Sequence, residues 1–367
     1  MTITRAAVVE SGGASFTLSD VELGELRPDE VLVRMVAAGL CHTDLGVASG
    51  GLPFPLPGVL GHEGAGVVEQ VGSAVTSVQP GDHAILSFTS CGGCDNCRDG
   101  HPAYCAGWLP ANLIGGARGD GTSPISRDGR PLGGHFFGQS SFAQLAVVDE
   151  RSVIKVDADV PLAAIAPLGC GVQTGVGAVW NVLAPRPGSS IAVLGAGAVG
   201  LSAVMAAAMS PAAQIIAVDR VAERLDLARE LGATHVVEVG DTPLAATLAE
   251  LTGGAGVDGI VETTGSTAVL RQGVDALAAR GTLVIVGAPP FGSEVSIDVN
   301  AMLPGRRVVG LTLGDNETRR VIPALVALVR QGRLPIDRLI TQYRFEDIDQ
   351  AVQDMSAAKT IKPVLRF

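Results

Sequence analysis

Four of the six cysteines in this sequence lie close together, in a spacing that predicts a metal site. They follow the pattern Cys-x2-Cys-x2-Cys-x7-Cys, at positions Cys91, Cys94, Cys97 and Cys105. In a protein that is not exported, a reducing environment favours thiolates over disulfides. Four thiolates enclose a tetrahedral zinc ion and leave no position for substrate, so we expect a structural zinc site. An iron–sulfur cluster is the alternative, although the proline that follows the last cysteine of ferredoxin motifs is missing here.

The other two cysteines and one histidine could form a second, open metal site. Cys41 precedes His-Thr-Asp, His62 lies within Gly-His-Glu, and Cys170 lies between two glycines. Two sulfurs and an imidazole make a three-ligand site with one vacancy, which a catalytic zinc needs to bind water or an alcohol oxygen. Taken singly, however, a buried cysteine more often serves as a small apolar core residue than as a metal ligand. A single histidine is likewise more often an ordinary core or surface residue than a ligand.

A glycine-rich turn after an apolar segment predicts a dinucleotide site. The segment 190–194 has the pattern of a buried strand and is followed by Gly195, Gly197 and Gly200. These glycines permit a tight turn, a close approach of the backbone to a pyrophosphate, and close packing of the next helix on the strand. The alternative is a glycine-rich turn that binds no nucleotide.

The end of the following strand indicates which dinucleotide the turn would bind. Residues 214–218 read as a second strand that ends at Asp219. A carboxylate at this distance from the turn binds the adenosine ribose hydroxyls and repels the additional phosphate of NADP. Arg220 follows and could soften the preference, but the acidic residue is retained. We therefore expect NAD.

The elements that must position these residues follow two patterns. Residues 256–262, 267–279 and 281–287 alternate strand, helix and strand, which indicates a doubly wound parallel sheet. The first 150 or so residues contain short strands interrupted by Gly and Pro, such as 30–37 and 64–71, which indicates a β-rich barrel. Residues 115–134 form a polar, glycine-rich stretch that we expect to be irregular. We predict an α/β protein with domains at 1–155 and 156–304, after which 305–367 completes the sheet and returns to the first domain.

Charge and hydropathy exclude several classes of function. The formal net charge is −11 and no basic run is present, so nucleic acid is not an expected partner. The uncharged stretches 160–185 and 191–218 are long enough to cross a membrane, but glycines and prolines interrupt both. We expect a buried strand, a glycine turn and a buried helix in each, and no membrane segment. The apolar run near the N-terminus is too short for a secretory signal, so we expect a cytoplasmic protein.

The motifs occur together in the order found in zinc-containing medium-chain dehydrogenases, and the sequence resembles that family along nearly its whole length. The resemblance rests on residues 41–44, 61–63, the four-cysteine segment and 169–171, while 169–175 and 134–137 are most similar to the aryl (benzyl) alcohol dehydrogenase branch. It implies a Rossmann domain beside a β-rich GroES-like catalytic domain. The implied oxidoreductase activity is hydride transfer between a primary alcohol, aryl or allylic by preference, and NAD, which gives the aldehyde. It also implies a homodimer or homotetramer, associated through an edge strand near 302–313.

The resemblance also implies roles for individual residues. Cys41, His62 and Cys170 would bind the catalytic zinc, so that with the structural site each chain holds two zinc ions. Asp44 would bind the far imidazole nitrogen and Glu63 would lie behind the metal. Thr43 would take the proton of the alcohol and pass it to the nicotinamide ribose. The remaining cofactor contacts would come from Thr174, Val199, Arg224, Val286 and Ala288, and from His42 and Lys362 near the pyrophosphate. The substrate pocket would be lined by Leu52, Phe88, Trp108, Phe136 and Phe137. Each could otherwise be a capping, packing or surface residue.

One position departs from the family, and two other functions stay open. The family often has a relay histidine two residues after Asp44, but this sequence has Gly46. The proton would then leave through water in the space that the glycine opens, or through His42. One alternative function is a thiol-adduct formaldehyde dehydrogenase, which shares the zinc sites but requires a cationic pocket. The other is a non-catalytic, zinc-stabilised nucleotide-binding protein, against which the intact ligand set argues.

Overall fold

The computed structural model describes residues 2–367 and divides the chain into two compact units. The first unit contains the chain up to Cys170 together with residues 317–332 and 336–367, and the second contains 171–316 and 333–335. These boundaries differ from the expected ones at 155 and 304. Residues 162–169 pack as helical turns against strands of the first unit, and residues 307–310 add the last strand to the sheet of the second.

The first segment of the chain is rich in short strands. Its strands are β1 (Thr2–Val9), β2 (Phe16–Leu23), β3 (Glu30–Gly39), β4 (Gly58–Val59), β5 (Gly64–Val71), β6 (His83–Leu86), β7 (Ile125–Arg127), β8 (Arg130–Pro131), β9 (Leu145–Asp149) and β10 (Val153–Val156). Its α-helices are α1 (His42–Ala48), α2 (Asp95–Arg98) and α3 (Leu162–Ile165). Short 3₁₀ or π turns lie at Pro102–Tyr104, Pro110–Ile114, Phe136–Gly138, Glu150–Ser152 and Ala166–Gly169.

The second segment alternates strands and helices. Its strands are β11 (Ser190–Leu194), β12 (Gln214–Asp219), β13 (His235–Glu238), β14 (Val257–Glu262), β15 (Leu277–Ile285) and β16 (Arg307–Gly310). Its helices are α4 (Gly171–Gly177), α5 (Ala198–Ala208), α6 (Ala222–Glu230), α7 (Leu244–Leu251), α8 (Thr267–Ala276) and α9 (Val299–Met302), with short turns at Ala178–Leu183 and Leu313–Asp315.

The last segment returns to the first unit. It contains α10 (Thr318–Arg330), β17 (Ile340–Arg344), α11 (Ile348–Ser356) and β18 (Lys362–Arg366), with 3₁₀ turns at Ile336–Leu339 and Phe345–Asp347. Strand β18 pairs antiparallel with β3, so that Leu365 lies opposite Ala38. The end of the chain is thereby fixed beside the strand that leads into Cys41.

Two mainly antiparallel sheets build the first unit. One has the order β4-β1-β2-β7-β8, and the other runs β10-β6-β5-β3-β18-β17 with β9 also paired to β3. Strand β3 is central and buried, and Val31, Val33 and Met35 pack with Val68 and Leu86 in one apolar cluster. Because β5 is antiparallel to both β3 and β6, the end of β3, the start of β5 and the end of β6 lie at the same end of the sheet.

A six-stranded parallel sheet forms the centre of the second unit. Its order is β13-β12-β11-β14-β15-β16, which in chain order is 3-2-1-4-5-6, the dinucleotide-binding order. All five residues of β11 are buried, as expected for a strand that is covered on both faces. The predicted fold class, a doubly wound sheet joined to a β-rich domain, is confirmed.

Some element predictions were wrong. Residues 160–185 contain helical turns from Leu162 to Leu183 and no strand, because small residues and prolines there break the segment into short helices. Helix α8 ends at Ala276 and not at residue 279, since Leu277 already begins β15. The stretch expected to be irregular contains the short hairpin β7–β8.

Within residues 2–367, no single helix is both long and apolar enough to cross a membrane. One broken pair, Leu162–Gly169 with Gly171–Leu183, reaches that length and hydropathy together.

Candidate active site

The first predicted ligand lies where β3 ends and α1 begins. Cys41 is the N-cap of α1 and has an extended backbone. Asp44, in the first turn of this helix, accepts a hydrogen bond from the backbone N–H of Cys41 through Oδ2, at 2.9 Å. A carboxylate at a helix N-terminus satisfies an otherwise unpaired N–H group, so Asp44 fixes the backbone that carries the Cys41 sulfur.

The same carboxylate orients the second predicted ligand. Asp44 Oδ1 accepts hydrogen bonds from His62 Nδ1 at 3.0 Å and from the backbone N–H of Gly61 at 3.1 Å, and Asp44 and His62 are fully buried. A histidine that donates from Nδ1 presents the Nε2 lone pair on its other side. Within residues 2–367, the buried Nε2 atom of His62 has no hydrogen-bond partner. This nitrogen is therefore free to bind a metal ion.

The structure brings the three predicted ligands together. The ligand atoms of Cys41, His62 and Cys170, with a carboxylate oxygen of Glu63, all lie within 4.8 Å of one another. The Cys170 thiol donates a hydrogen bond to the Cys41 sulfur, which lowers the pKa of Cys41 well below its usual value. Burial acts in the opposite direction, and the charge of nearby Lys362 lowers the pKa further. Two sulfurs and an imidazole nitrogen on buried backbone fit zinc, so these residues have the chemistry of a zinc site.

Glu63 and Lys362 form a buried ion pair. Lys362 Nζ lies 2.9 Å from both carboxylate oxygens of Glu63 and 3.0 Å from the carbonyl oxygen of Leu40. Burial alone would lower the pKa of Lys362, but the Glu63 carboxylate and the Cys41 thiolate raise it, so the amine is charged. These contacts use its three N–H groups. Lys362 is therefore fixed by Glu63 and the Leu40 carbonyl oxygen, and its expected position near a pyrophosphate stays a prediction.

An aromatic wall surrounds the His62 imidazole. Phe137 stacks on the ring at a centroid distance of 4.5 Å, and Phe136 contacts it edge-on at 5.4 Å. Trp108 packs edge-on against Phe137 at 5.6 Å, and Phe54 packs against Phe136 at 5.1 Å. Sequence reasoning missed Phe54, which lies between two prolines and carries no motif. The structure thus gathers three of the five predicted pocket residues beside the ligand cluster.

The other two predicted pocket residues have different surroundings. Phe88 is buried just beyond β6. Leu52 packs on Gly46, where a Cβ atom would lie only 2.8 Å from Leu52 Cδ1. The leucine side chain therefore occupies the space beside Gly46, which disfavours a water-filled exit there, and the exit route stays a prediction.

The four clustered cysteines form a second candidate metal site. Their sulfurs lie within 4.8 Å of one another, with separations of 3.9 Å between Cys91 and Cys97, 3.5 Å between Cys94 and Cys97, and 4.0 Å between Cys94 and Cys105. A tetrahedral zinc with bonds of about 2.3 Å places its sulfurs about 3.8 Å apart. Backbone N–H groups of Gly93 and Cys94 donate to the Cys91 sulfur and lower its pKa to about 6. These residues fit one ion, and a cluster of several irons requires a wider cage.

The predicted nucleotide turn lies at the carboxyl end of β11. Gly195 has a φ of +99°, which favours glycine, and a Cβ atom at Gly200 would lie 1.8 Å from the Gly195 carbonyl oxygen. At Gly197 a Cβ atom would meet nothing within 4 Å, so the backbone there is open to a ligand. Asp219 accepts hydrogen bonds from the N–H groups of Ala196, at 2.6 Å, and Val221, at 2.9 Å. The carboxylate is fixed beside the turn.

The remaining predicted cofactor residues are distributed over both units. In the second unit, Thr174 is buried in α4, Val199 lies in the first turn of α5, and Arg224 lies in α6. Val286 and Ala288 follow β15 in that unit. In the first unit, His42 is exposed at the start of α1, and Thr43 Oγ1 lies 3.8 Å from the Cys41 sulfur.

Comparisons with known proteins agree with this arrangement. Residues 27–158 match the alcohol dehydrogenase GroES-like domain and residues 198–329 match the zinc-binding dehydrogenase domain. The chain is 41% identical to geraniol dehydrogenase from Castellaniella defragrans, over 99% of this chain and 97% of that protein.

Two solved structures are also similar to this chain. Benzyl alcohol dehydrogenase from Acinetobacter calcoaceticus superposes with a TM-score of 0.96 at 43% identity and covers 100% of both chains. An alcohol dehydrogenase zinc-binding domain protein from Burkholderia ambifaria superposes with a TM-score of 0.96 at 50% identity, covering 100% of this chain and 99% of that one. The family predicted from the sequence is confirmed: this chain belongs to the zinc-containing alcohol dehydrogenases of the medium-chain family, oxidoreductases that work with zinc and a nicotinamide cofactor.

Proposed function

We propose that this enzyme oxidises primary aryl or allylic alcohols to aldehydes with NAD and reduces the aldehydes in the reverse direction. The observation that carries the proposal is the cluster of Cys41, His62 and Cys170, in which the unpartnered Nε2 of His62 lies under an aromatic wall. A zinc ion bound by these residues supplies a Lewis acid that lowers the pKa of an alcohol oxygen and favours departure of hydride.

The protein residues around the cluster hold the ligands and move the proton. Asp44 keeps the His62 proton on Nδ1, which leaves the lone pair of Nε2 available to bind the metal ion. Thr43 is half-buried, and its hydroxyl lies beside the Cys41 sulfur. We assign Thr43 the step in which the alcohol proton is accepted and passed on, because a hydroxyl can accept one proton while it donates another.

The side chains next to Thr43 favour one of the two proton exits. Leu52 fills the space at Gly46, so an apolar group occupies the position where a relay side chain would lie. His42 is exposed at the N-terminal end of the same helix and can exchange protons with solvent. We infer that the proton leaves by way of His42.

The aromatic wall favours binding of a flat, apolar substrate. Phe136 and Phe137 are 0% and 4% exposed, and with Trp108 they present ring faces and edges next to the His62 imidazole. Such surfaces bind planar unsaturated groups through offset and edge-on contacts. The activities named for two similar proteins, a geraniol dehydrogenase and a benzyl alcohol dehydrogenase, point in the same direction.

The second unit supports NAD rather than NADP. Asp219 is 9% exposed and is held by two backbone N–H groups, so it cannot turn away without leaving them unsatisfied. A fixed carboxylate binds two ribose hydroxyls and repels a phosphate in that position. Arg220 is exposed and follows directly, but it does not remove this charge.

We also propose two zinc ions per chain and a homo-oligomer. The two separate ligand clusters support the metal count. Strand β16 is at the edge of the parallel sheet, and Val299, Leu303 and Val309 are exposed on or before it. An exposed apolar sheet edge favours pairing with a second copy. Analytical ultracentrifugation distinguishes a dimer or tetramer from a monomer. A monomer at all concentrations tested would contradict this proposal.

The central test combines metal analysis with turnover measurements. NADH absorbance is followed with NAD or NADP against benzyl alcohol, geraniol, hexanol and ethanol, and zinc is measured in the same sample. We expect two zinc ions per chain and the highest kcat/KM for benzyl alcohol or geraniol with NAD. A fully metallated protein that oxidises none of these alcohols refutes the proposal and favours a thiol-adduct substrate or a binding protein.

A further inference from the structure

A buried glutamine contacts the backbone of His62, whereas Asp44 contacts its imidazole ring. Gln139 is 0% exposed and follows the short turn that carries Phe136 and Phe137. Its Nε2 donates to the carbonyl oxygen of His62 at 3.0 Å and to that of Ser87 at 2.9 Å, and its Oε1 accepts the N–H group of Gly64 at 3.1 Å. Both amide donors and the amide oxygen are therefore used, and one bond goes to a ligand residue itself.

The network continues from Ser87 to another ligand segment. Ser87 is 0% exposed, and its hydroxyl donates to the carbonyl oxygen of Gly169 at 2.6 Å. Gly169 directly precedes Cys170 and packs so closely on β6 that a Cβ atom there would lie 2.2 Å from the Leu86 carbonyl oxygen. Buried hydrogen bonds through Gln139 and Ser87 thus link the carbonyl group of His62 to that of Gly169, which belongs to the peptide group that leads into Cys170.

We propose that Gln139 is a positioning residue for the zinc site. It fixes the backbone of His62 directly and, through Ser87, the peptide group that leads into Cys170. The inference rests on the proposed function, because it assumes zinc at Cys41, His62 and Cys170. Asp44 holds the imidazole and the N–H groups of Gly61 and Cys41, whereas Gln139 holds the carbonyl side of His62. The two residues fix the histidine from opposite ends.

The chemistry of the side chain explains why an amide is needed. Two carbonyl oxygens and one N–H group converge on Gln139, so only a group with two donors and one acceptor satisfies all three. A glutamate of the same shape turns both donor contacts into contacts between acceptors. The backbone of His62 and Ser87 must then move, and the ligand atoms move with it.

The variants are Gln139→Glu and Ser87→Ala, with Asn112→Asp as the matched control. Asn112 is also 0% exposed and also makes three bonds, to the N–H and carbonyl groups of Thr89 and to the Trp108 carbonyl oxygen. It touches none of the three ligand residues of the catalytic cluster. Asn112→Asp therefore measures the general effect of changing a buried amide to an acid.

The measurement is zinc release from the intact enzyme to a chromogenic chelator, together with the absorption spectrum after cobalt(II) replaces zinc. The cobalt–thiolate band differs between a two-sulfur and a four-sulfur site and so assigns each release phase. Loss of a residue that orients ligands typically weakens metal binding about 10- to 100-fold. We expect Gln139→Glu to speed release from the catalytic site by about this factor and to shift its cobalt band. Ser87→Ala should have a smaller effect in the same direction.

The control and the four-cysteine site complete the design. Release from the four-cysteine site should stay within about twofold of wild type in Gln139→Glu, and Asn112→Asp should leave the catalytic phase within the same range. Wild-type release rates and cobalt bands in both Gln139→Glu and Ser87→Ala would overturn this inference alone. A wild-type enzyme that holds no zinc at the three-ligand site would overturn the proposed function as well. If Gln139→Glu does not fold, Ser87→Ala decides, because it removes one hydrogen bond and adds no charge.

Discussion

Replacing Asp44 with asparagine tests whether one buried carboxylate organises the catalytic cluster. The carboxylate accepts three hydrogen bonds, from His62 Nδ1 at 3.0 Å, from the Gly61 N–H group at 3.1 Å and from the Cys41 N–H group at 2.9 Å. Asparagine has almost the same shape but only one oxygen. If that oxygen serves His62 and Gly61, the amide NH₂ group faces the Cys41 N–H group, and two donors meet.

The expected loss follows from these contacts. A hydrogen bond to a charged group contributes about 1.5–3 kcal/mol, and Asp44→Asn removes one such bond and weakens two others. Each tenfold change in rate corresponds to about 1.4 kcal/mol. We therefore expect kcat/KM for benzyl alcohol with NAD to fall about 10- to 100-fold, which is the usual range for residues that orient metal ligands.

The assay is initial-rate NADH formation with zinc content measured on the same sample, so that metal loss and slower chemistry are separated. The control is Asp258→Asn in the second unit, because Asp258 likewise accepts a backbone N–H group, from Ser190 at 2.9 Å, but has no contact with the ligand cluster. The control should stay within about twofold of wild type. An Asp44→Asn enzyme with full zinc and a kcat/KM within twofold of wild type would refute the reasoning.

Three further changes have directions fixed by the structure. Gly46→His should raise KM for benzyl alcohol about tenfold, equal to about 1.4 kcal/mol and within the usual cost of overpacking, because Leu52 occupies the space. The double variant with Leu52→Ala should recover most of this loss, and an unchanged KM in Gly46→His would contradict the contact. His135 is buried, which lowers its pKa, so it contributes stability above the unfolded pKa of about 6.5 that is lost as the pH falls through the folded pKa. In urea unfolding at pH 7.5 and 5.5, His135→Gln should lose less stability than wild type, and equal losses would contradict this. Asp219→Asn should lower the ratio of kcat/KM with NAD to that with NADP about tenfold, equal to about 1.4 kcal/mol; an unchanged ratio would contradict the role of the carboxylate.

The fold could be predicted from local signals, and so could the candidate four-cysteine metal site, whereas the candidate three-ligand site was predicted only through the resemblance to the family. A buried run such as residues 190–194, followed by a glycine turn, predicts a parallel strand and a candidate nucleotide site without knowledge of the rest of the chain. Cysteines in close spacing likewise reveal a metal site from residue type alone. Element boundaries were less accurate where small residues dominate, as at Ala276 and Leu277, where neither helix nor strand has a distinct pattern.

Apart from Asp44, the residues that hold the ligands gave no such signal. Gln139 and Ser87 are ordinary polar residues in sequence, and only burial next to three backbone groups gives them a role. The pairing of Lys362 with Glu63 joins residues 299 positions apart, and no periodicity reports a contact of that kind. Leu52 is another case, since the space left by a glycine can be judged only when the neighbouring side chain is placed.

The glycines beside the ligands connect these two kinds of signal. A Cβ atom at Gly39 would lie 2.0 Å from Glu63 Oε2, and one at Gly169 would lie 2.2 Å from the Leu86 carbonyl oxygen. These glycines are therefore required by close packing, which brings the end of β3, the start of β5 and the turn before Cys170 near enough for Cys41, His62 and Cys170 to form one cluster. Close packing of this kind leaves polar backbone groups buried, and each must find a partner. Asp44 and Gln139 supply those partners. The 41–44 motif identifies Asp44, whereas no motif identifies Gln139, which explains why a site recognisable from its cysteines and glycines also depends on a polar side chain that only the structure reveals.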